Sequence, residues 1–392
     1  MPPPLSTRLK TLAPYPFAGL ERRIAEMTAA GKDVIRLDIG SPDQPPASEI
    51  IDALARSARN PTHHGYAGYY GRPELRQAMA NYYARRFGVT LDPQTDLLPL
   101  IGSKEGIYNL AFAYLDAGDV ALIPGLGYPT YAAGTQLAGA DAYVMPLQSD
   151  AGWTPDLDAI PTDVLRRAKI MWLNYPNNPT TAIVSMAFLA RTVEFARKHN
   201  LLLAYDNPYA DVCFDGYVAS SILQVPGAKE VAVEFNSLSK SHNMGGWRVG
   251  MVAGQVEAVA ALGTLKTQID SGIFRAIQDA AVEALSGDQE WLSERNAVYA
   301  RRRDMLIDGL RAIGCAIEVP RATIYVWVKI PPGESSSVDL CNRLLDTTGV
   351  SLTPGTTFGE QGDRYARVAL GQPTRRIQEA VDRLKAAEGR TR

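Results

Sequence analysis

The sequence predicts an α/β protein with a mostly parallel sheet in a large domain and a second, smaller α+β domain. From about residue 97 to residue 253, short apolar runs alternate with helix-length segments of mixed polarity. Polar residues follow successive apolar runs at intervals of roughly 30 residues, which is the length of one βαβ unit. After about residue 286 the pattern changes to a long charged helix followed by a strand of alternating polarity.

The buried strands of the sheet are expected where apolar runs end in polar or turn-forming residues. These runs occupy residues 120–123, 170–173, 201–205 and 231–235. A helix is predicted at 185–199, where apolar residues share one face. Asn174, Asp206 and Ser237 each follow a strand, and the carboxyl ends of parallel strands form the ligand crevice of such sheets. We therefore expect these three side chains to face one site.

The C-terminal part predicts the elements of the smaller domain, namely a helix at 288–312, a strand at 322–330 and a helix at 374–388. In the strand, Ile324 and every second residue after it would face one way and Tyr325, Trp327 and Lys329 the other, as in a sheet with one packed face. The arginine triplet at 301–303 is interpreted as a solvated helix face. The predicted division is an N-terminal arm with part of the small domain at 1–47, a large domain at 48–285 and a small C-terminal domain at 286–392.

Composition and charge favour a cytoplasmic protein that acts on a small molecule. Lys and Arg total 40 against 42 Asp and Glu, and the net charge of −2 suggests neither nucleic acid nor an acidic membrane as partner. Three scattered cysteines are too few for a disulfide framework, which favours a reducing compartment. The sequence shows no secretion signal and no apolar run of membrane-spanning length. The four histidines lack metal-ligand spacing, so no metal site is expected.

Two loops contain residues that suit anion binding or catalysis by an amine. Lys240 follows a buried strand among small hydroxylated residues, and a partly buried lysine near cations has a depressed pKa and can act as a nucleophile. Ser237, Ser239 and Arg248 around it suit a phosphate dianion, although an ordinary polar loop is the alternative. The segment Gly102-Ser103-Lys104 opens a helix and predicts an anion seat, or simply a helix cap. The spacings of nucleotide-triphosphate and dinucleotide loops are absent.

Three uncommon clusters then occur in order along the chain. Residues 174–180 read NYPNNPT, residues 206–209 read DNPY, and residues 237–240 read SLSK. In these clusters, and in further segments from residue 38 to residue 370, the sequence resembles the class I/II pyridoxal-phosphate-dependent aminotransferases. The resemblance implies fold type I, in which a mostly parallel seven-stranded sheet is sandwiched by helices beside a smaller α+β domain. Thr181 stands where the family usually has glycine, so the resemblance does not predict the conformation of the local turn.

The resemblance implies pyridoxal 5′-phosphate as cofactor and gives the matching residues their roles. Lys240 would hold the cofactor covalently and then move the proton at the substrate Cα. Asp206 would pair with the pyridinium nitrogen and keep it protonated. Asn178 and Tyr209 would hydrogen-bond the ring hydroxyl, and Tyr128 would stack on the ring. Lys240, Asp206 and Tyr209 are therefore the expected catalytic residues.

The same resemblance implies two sites for anions. The phosphate would be bound by Ser103, Lys104, Ser237, Ser239 and Arg248, with Tyr66 reaching over from a partner subunit. A homodimer with a shared active site is therefore expected. Arg367 would bind the substrate carboxylate, and Gly40 and Asn178 would contact the same substrate.

The implied activity is transfer of an amino group between an amino acid and a 2-oxo acid. Segments 268–274, 322–327 and 371–374 look most similar to LL-diaminopimelate aminotransferases, which implies transfer to 2-oxoglutarate in lysine biosynthesis. An aspartate, alanine or aromatic aminotransferase of broad specificity is an alternative. So is a carbon–sulfur β-lyase that uses the same cofactor. A catalytically inactive regulatory module that only binds a ligand is the remaining alternative.

Overall fold

The computed structural model describes residues 3–388, which contain fourteen α-helices and thirteen β-strands. The helices are α1 Thr7–Thr11, α2 Ala18–Ala29, α3 Ser48–Ala58, α4 Pro73–Phe87, α5 Ser103–Tyr114, α6 Thr130–Ala138, α7 Thr162–Arg167, α8 Met186–His199, α9 Leu238–Ser241, α10 Val256–Ile269, α11 Arg275–Ser286, α12 Glu290–Ala312, α13 Ser337–Thr348 and α14 Thr374–Glu388. The strands are β1 Ile35–Arg36, β2 Leu97–Leu100, β3 Val120–Pro124, β4 Asp141–Met145, β5 Ala168–Asn174, β6 Leu202–Asp206, β7 Ala232–Ser237, β8 Gly250–Gly254, β9 Ala316–Ile317, β10 Tyr325–Lys329, β11 Val350–Ser351, β12 Thr353–Pro354 and β13 Tyr365–Ala369. Within this described part, no helix combines the length and the apolar character needed to cross a membrane.

The central sheet has seven strands in the order β2-β8-β7-β6-β5-β3-β4. Only β8 runs antiparallel to its neighbours, so the expected mostly parallel sheet is confirmed. Alternate side chains of β6 enter two different apolar clusters, Leu203 on one face and Ala204 on the other. Helices α4, α8 and α11 contribute to the first cluster, and α5, α6 and α10 to the second. The sheet is therefore sandwiched between two helical layers.

The four apolar runs form β3, β5, β6 and β7, with ends that differ from the predicted ones by only a few residues. The helix predicted at 185–199 is α8. Ser185 caps its N-terminus, where Oγ accepts a hydrogen bond from the Phe188 amide at 3.2 Å. Asn200 ends it in the left-handed conformation, with φ of 54°. Thr181 also adopts a left-handed φ of 62°, so a glycine-like turn forms at this position without glycine.

The two ends of the described chain share a second apolar core. The C-terminal half builds an antiparallel sheet in the order β12-β13-β10-β9, and β1 pairs in parallel with β11. Ile35 and Leu37 from the N-terminal segment pack in one cluster with Val326, Leu344 and Leu384. An N-terminal segment thus folds with C-terminal elements, whereas the boundaries at residues 47 and 285 stay a prediction.

Two expectations about the C-terminal part are wrong. The second face of β10 is covered at Tyr325, which packs on Tyr209, and at Trp327, which stacks on Tyr365 with the ring centroids 5.2 Å apart, and only Lys329 at the end of the strand is exposed. Strand alternation revealed two faces but not what covers each of them. The arginine triplet is not a solvated face either, because Arg302 and Arg303 are buried. Each forms a salt bridge at 2.6 Å, Arg302 with Asp43 and Arg303 with Asp215.

The crossing of α12 and α14 depends on a glycine. A Cβ atom at Gly309 would lie 2.9 Å from both methyl carbons of Val381, closer than carbon atoms approach without displacement. We expect Gly309→Ala to lower the free energy of unfolding by about 1–3 kcal/mol through overpacking. Gly134→Ala in α6 is the matched control, since its nearest neighbour would lie at 3.4 Å and the change should stabilise by up to about 1 kcal/mol. Chemical denaturation measures both, and equal effects would contradict the packing argument.

Candidate active site

A cavity of about 410 Å³ opens at the carboxyl ends of β5, β6 and β7, where they meet the C-terminal sheet. Twelve of the expected site residues line it, namely Gly40, Ser103, Lys104, Tyr128, Asn178, Asp206, Tyr209, Ser237, Ser239, Lys240, Arg248 and Arg367. Asn174 lines it as well, so the three strand-end residues do face one site. Tyr66 lies outside the cavity and is 92% exposed, so its role in a partner's site stays a prediction.

Asp206 provides a buried carboxylate in which one oxygen lacks a protein partner. Its Oδ2 accepts a hydrogen bond of 2.6 Å from the hydroxyl of Tyr131, whose ring stacks on Trp172 at 4.9 Å between centroids. Its Oδ1 is buried and has no hydrogen-bond partner among the described residues. Burial raises the pKa of Asp206 to about 7, although the Tyr131 hydrogen bond opposes this rise. A ligand with a cationic N–H group would satisfy the free oxygen.

Lys240 lies in α9, directly after β7, with its ammonium group buried. Burial lowers the pKa of Lys240, and the cations of Arg367 and Arg248 lower it further, while Tyr325 opposes them. Its Nζ donates a hydrogen bond to the carbonyl of Gly40. A lysine whose pKa is lowered in this way can act as an amine nucleophile or as a base.

The start of α5 and the side chain of Arg248 form an anion seat beside this lysine. Gly102 precedes α5 with φ of 74°, and any side chain at this position would overlap the guanidinium of Arg248. Arg248 donates hydrogen bonds to the Gly245 carbonyl at 2.8 Å and to Ser239 Oγ at 3.4 Å. Amide groups at a helix N-terminus, a guanidinium and serine hydroxyls are donors that suit a phosphate dianion.

Arg367, on β13, is a buried cation that has no counter-ion in the described part of the chain. Its side chain is 4% exposed, and no carboxylate of the described residues lies within salt-bridge distance. Nη1 donates to Asn178 Oδ1 and Nη2 donates to the Asp38 carbonyl, both at 2.9 Å, while Nε has no partner. The guanidinium carbon lies 4.2 Å from the ring centroid of Tyr325. This partly satisfied cation suits a carboxylate ligand.

Several residues of the site were not predicted from the sequence. One of them is Tyr325, whose hydroxyl accepts a hydrogen bond of 3.2 Å from the hydroxyl of Tyr209. Burial raises the pKa of Tyr209, whereas the pKa of Tyr325 is lowered because Arg367 and Lys240 outweigh its burial. Tyr131 lies in α6, and its contacts with Asp206 and Trp172 join segments distant in sequence, so no local pattern indicated them.

The N-terminal segment covers the cavity with Tyr15 and Phe17, which were also missed. The Lys104 ammonium lies 4.9 Å from the centre of the Tyr15 ring and 5.9 Å from that of Tyr128. The prolines that flank Tyr15 were the only sequence signal for an ordered segment here. Among the described residues, no group of three or more His, Cys, Asp or Glu side chains is arranged to hold a metal ion.

The titration of Asp206 has a direct effect on stability. Its pKa is about 7 in the folded protein against 3.8 ordinarily, so between these values the folded state binds a proton that the unfolded state has lost. Stability therefore falls as the pH rises from about 4 to about 7. In the cofactor-free protein, we expect Asp206→Asn to raise the free energy of unfolding at pH 8 by roughly 2–4 kcal/mol, and far less at pH 4.

Thermal denaturation at the two pH values measures this difference. Asp150→Asn is the control, since Asp150 is exposed and its replacement should change the Tm equally little at both. A lower Tm for Asp206→Asn at pH 8 would contradict the burial argument.

Comparisons with known proteins agree with this geometry. The family model for aminotransferase class I and II matches residues 32–384. The LL-diaminopimelate aminotransferase of Dehalococcoides mccartyi is 47% identical over 380 residues, which cover 97% of this chain and 98% of that relative. The solved structure of apo-BacF from Bacillus subtilis superposes with a TM-score of 0.95 at 35% identity, covering 98% of both chains.

A probable N-succinyldiaminopimelate aminotransferase from Thermus thermophilus superposes with a TM-score of 0.88 at 36% identity, covering 95% of this chain and all of that structure. Solved aminotransferases thus confirm the expected fold type I architecture. The match to the family model covers the central sheet and the C-terminal sheet. It also includes every charged residue of the cavity lining except Glu21. The chain therefore belongs to the family of class I and II aminotransferases.

Proposed function

We propose that this aminotransferase moves the amino group of LL-diaminopimelate to 2-oxoglutarate, in the biosynthesis of lysine. The observation that carries the proposal is one cavity holding a buried amine, a carboxylate with a free oxygen and a guanidinium without counter-ion. The substrate follows from the relatives, since curated proteins named LL-diaminopimelate aminotransferase are 45–47% identical over nearly the whole chain. None of Cys213, Cys315 and Cys341 forms a disulfide, in keeping with the cytoplasm as the site of the reaction.

Membership of the family implies pyridoxal phosphate, and the donor set of the cavity fits that cofactor. The orphaned Oδ1 of Asp206 suits a protonated ring nitrogen, and a covalent bond would form to Lys240. Tyr209 and Asn178 would hydrogen-bond the ring hydroxyl, with Tyr128 against the ring. The phosphate would be bound by Ser103, Lys104, Ser237, Ser239 and Arg248, and by Tyr66 of the partner subunit in a homodimer.

When bound, the cofactor supplies a ring that withdraws electrons from the substrate Cα. Lys240 would remove the proton from that carbon and, in the second half of the reaction, deliver one to the corresponding carbon of the 2-oxo acid. Burial lowers the pKa of Lys240, which favours the unprotonated amine that can accept this proton. Asp206 maintains a negative charge against the ring nitrogen, and Tyr131 fixes the orientation of that carboxylate. Arg367 binds the α-carboxylate and so selects the Cα–H bond for cleavage.

A donor panel tests the proposed activity and substrate. With 2-oxoglutarate as acceptor, we expect the enzyme to form glutamate from LL-diaminopimelate with a kcat/KM at least about tenfold above those for aspartate, alanine and phenylalanine. Lys240→Ala should lose at least about 10³-fold in kcat, since a base contributes 10²–10⁴-fold and the covalent attachment is lost as well. Faster formation of glutamate from one of the other donors would contradict the assignment of LL-diaminopimelate as the substrate. Pyruvate and ammonia released from cystathionine without any oxo acid would establish a β-lyase.

Removal of the Tyr131 hydroxyl should change the pH profile. This hydroxyl lowers the pKa of Asp206, so Tyr131→Phe raises that pKa and makes the carboxylate easier to protonate as the pH falls. We expect the acid limb of the kcat/KM profile to move to higher pH, with a loss of roughly 3- to 10-fold at pH 6 and a smaller loss at pH 8.5. Because phenylalanine keeps the ring on Trp172, a uniform loss at all pH values would indicate a packing effect instead.

A further inference from the structure

The charged lining of the cavity contains one acid that the chemistry described above does not use. The seven charged residues are Glu21, Asp38, Lys104, Asp206, Lys240, Arg248 and Arg367. Of the three acids, Asp206 is assigned to the cofactor and Asp38 is buried. The Glu21 side chain remains 55% exposed, so a ligand that enters from solvent can reach it. Glu21 is thus the carboxylate of the lining that is available to a cationic part of the substrate.

Arg36 holds this carboxylate in a fixed orientation. Its Nη1 and Nη2 donate to the two Glu21 oxygens at 3.1 and 2.6 Å, and its Nε and Nη2 donate to Asp38 at 2.9 and 2.7 Å. Two carboxylates share one guanidinium, so the triad of Glu21, Arg36 and Asp38 has one uncompensated negative charge. Each Glu21 oxygen keeps a further lone pair for a ligand. The triad is therefore complementary to an ammonium group rather than to a second carboxylate.

The fold connects this triad to the place where the substrate carboxylate binds. The backbone carbonyl of Asp38 accepts a hydrogen bond from Arg367, while the Asp38 side chain binds Arg36. Along α2, the Glu21 amide donates to the carbonyl of Phe17, whose ring centroid lies 5.7 Å from the Arg367 guanidinium carbon. Residues four apart on a helix lie about 5–6 Å from each other. Glu21 therefore lies about one helical turn beyond Arg367's aromatic neighbour.

The two amine-bearing carbons of a diamino dicarboxylic acid are four bonds apart, so its second ammonium group lies a few bonds beyond the reacting carbon, in the cavity that Arg367 and Glu21 both line. Resting on the proposed function, we infer that Glu21, oriented by Arg36, binds the distal ammonium group of the substrate and selects donors that carry it. A donor that lacks the distal amine leaves the negative charge of the triad unpaired.

The matched ligand for the test is L-2-aminopimelate, which is the diamino acid without its distal amine. We expect the wild-type holoenzyme to prefer LL-diaminopimelate over L-2-aminopimelate in kcat/KM, and Glu21→Gln to reduce this preference about tenfold. Glu21→Asp, which keeps the charge, should retain more of the preference than Glu21→Gln. Glu26→Gln is the control, because Glu26 is an exposed acid of α2 outside the cavity lining and its replacement should leave the preference unchanged.

The outcomes separate this inference from the proposed function. If the wild type uses LL-diaminopimelate and Glu21→Gln changes the activity with both donors by the same factor, the inference is overturned while the proposed function stands. The same holds if Glu21→Gln leaves the activity with both donors unchanged. If the wild type does not transaminate LL-diaminopimelate, both are overturned. Thermal denaturation of Glu21→Gln and Glu26→Gln shows whether the fold is equally stable in the two variants.

Discussion

The site is organised around a carboxylate that the fold buries without fully satisfying it. Asp206 ends β6, a strand inside the central sheet, with helical layers on both faces. Tyr131 and Trp172 hold one oxygen in place and leave the other unpartnered. An ionised carboxylate in such surroundings requires a cation, and without one its pKa rises. No cation of the described residues contacts the second oxygen, which is therefore available to bind a positively charged ring nitrogen.

Arg367 is a second charged group of the cavity that lacks an ionic partner among the described residues. It is buried, donates to two neutral oxygens and has no counter-ion among the described residues. Lys240 lines the same cavity, and its pKa is lowered by burial and by the neighbouring guanidinium groups. The protein alone thus leaves an anion without a cation and a cation without an anion. A cofactor with a protonated nitrogen and an amino acid with a carboxylate satisfy both at once, and they meet at the lysine.

The sequence predicted the parts of this arrangement that depend on strand order. Asn174, Asp206 and Ser237 could be placed together because parallel strands deliver their carboxyl ends to one edge of the sheet. Tyr131 and Tyr325 were not found, because their contacts come from packing between segments distant in sequence. The burial of Trp327 and Arg302 was misjudged for the same reason, since alternation and charge runs do not reveal which element covers a face.

The substrate end of the site was the least predictable part, because it is assembled from an N-terminal helix and a short strand pair. Nothing in the local sequence around Glu21 indicates that Arg36 will share its guanidinium between Glu21 and Asp38. The position of Tyr66 in a partner's site depends on a second copy of the chain and follows from the family resemblance alone. The catalytic residues at the strand ends can therefore be predicted from the sequence, whereas the residues that determine substrate specificity depend on how distant segments pack together.

The central claim is that the unpartnered oxygen of Asp206 binds a protonated ring nitrogen. Nitrogen NMR of the holoenzyme loaded with pyridoxal phosphate labelled with ¹⁵N in the ring measures this protonation state directly. The account predicts the chemical shift of a protonated pyridinium at neutral pH in the wild type, and the shift of an unprotonated ring in Asp206→Ala. An unprotonated ring nitrogen in the wild type would contradict it.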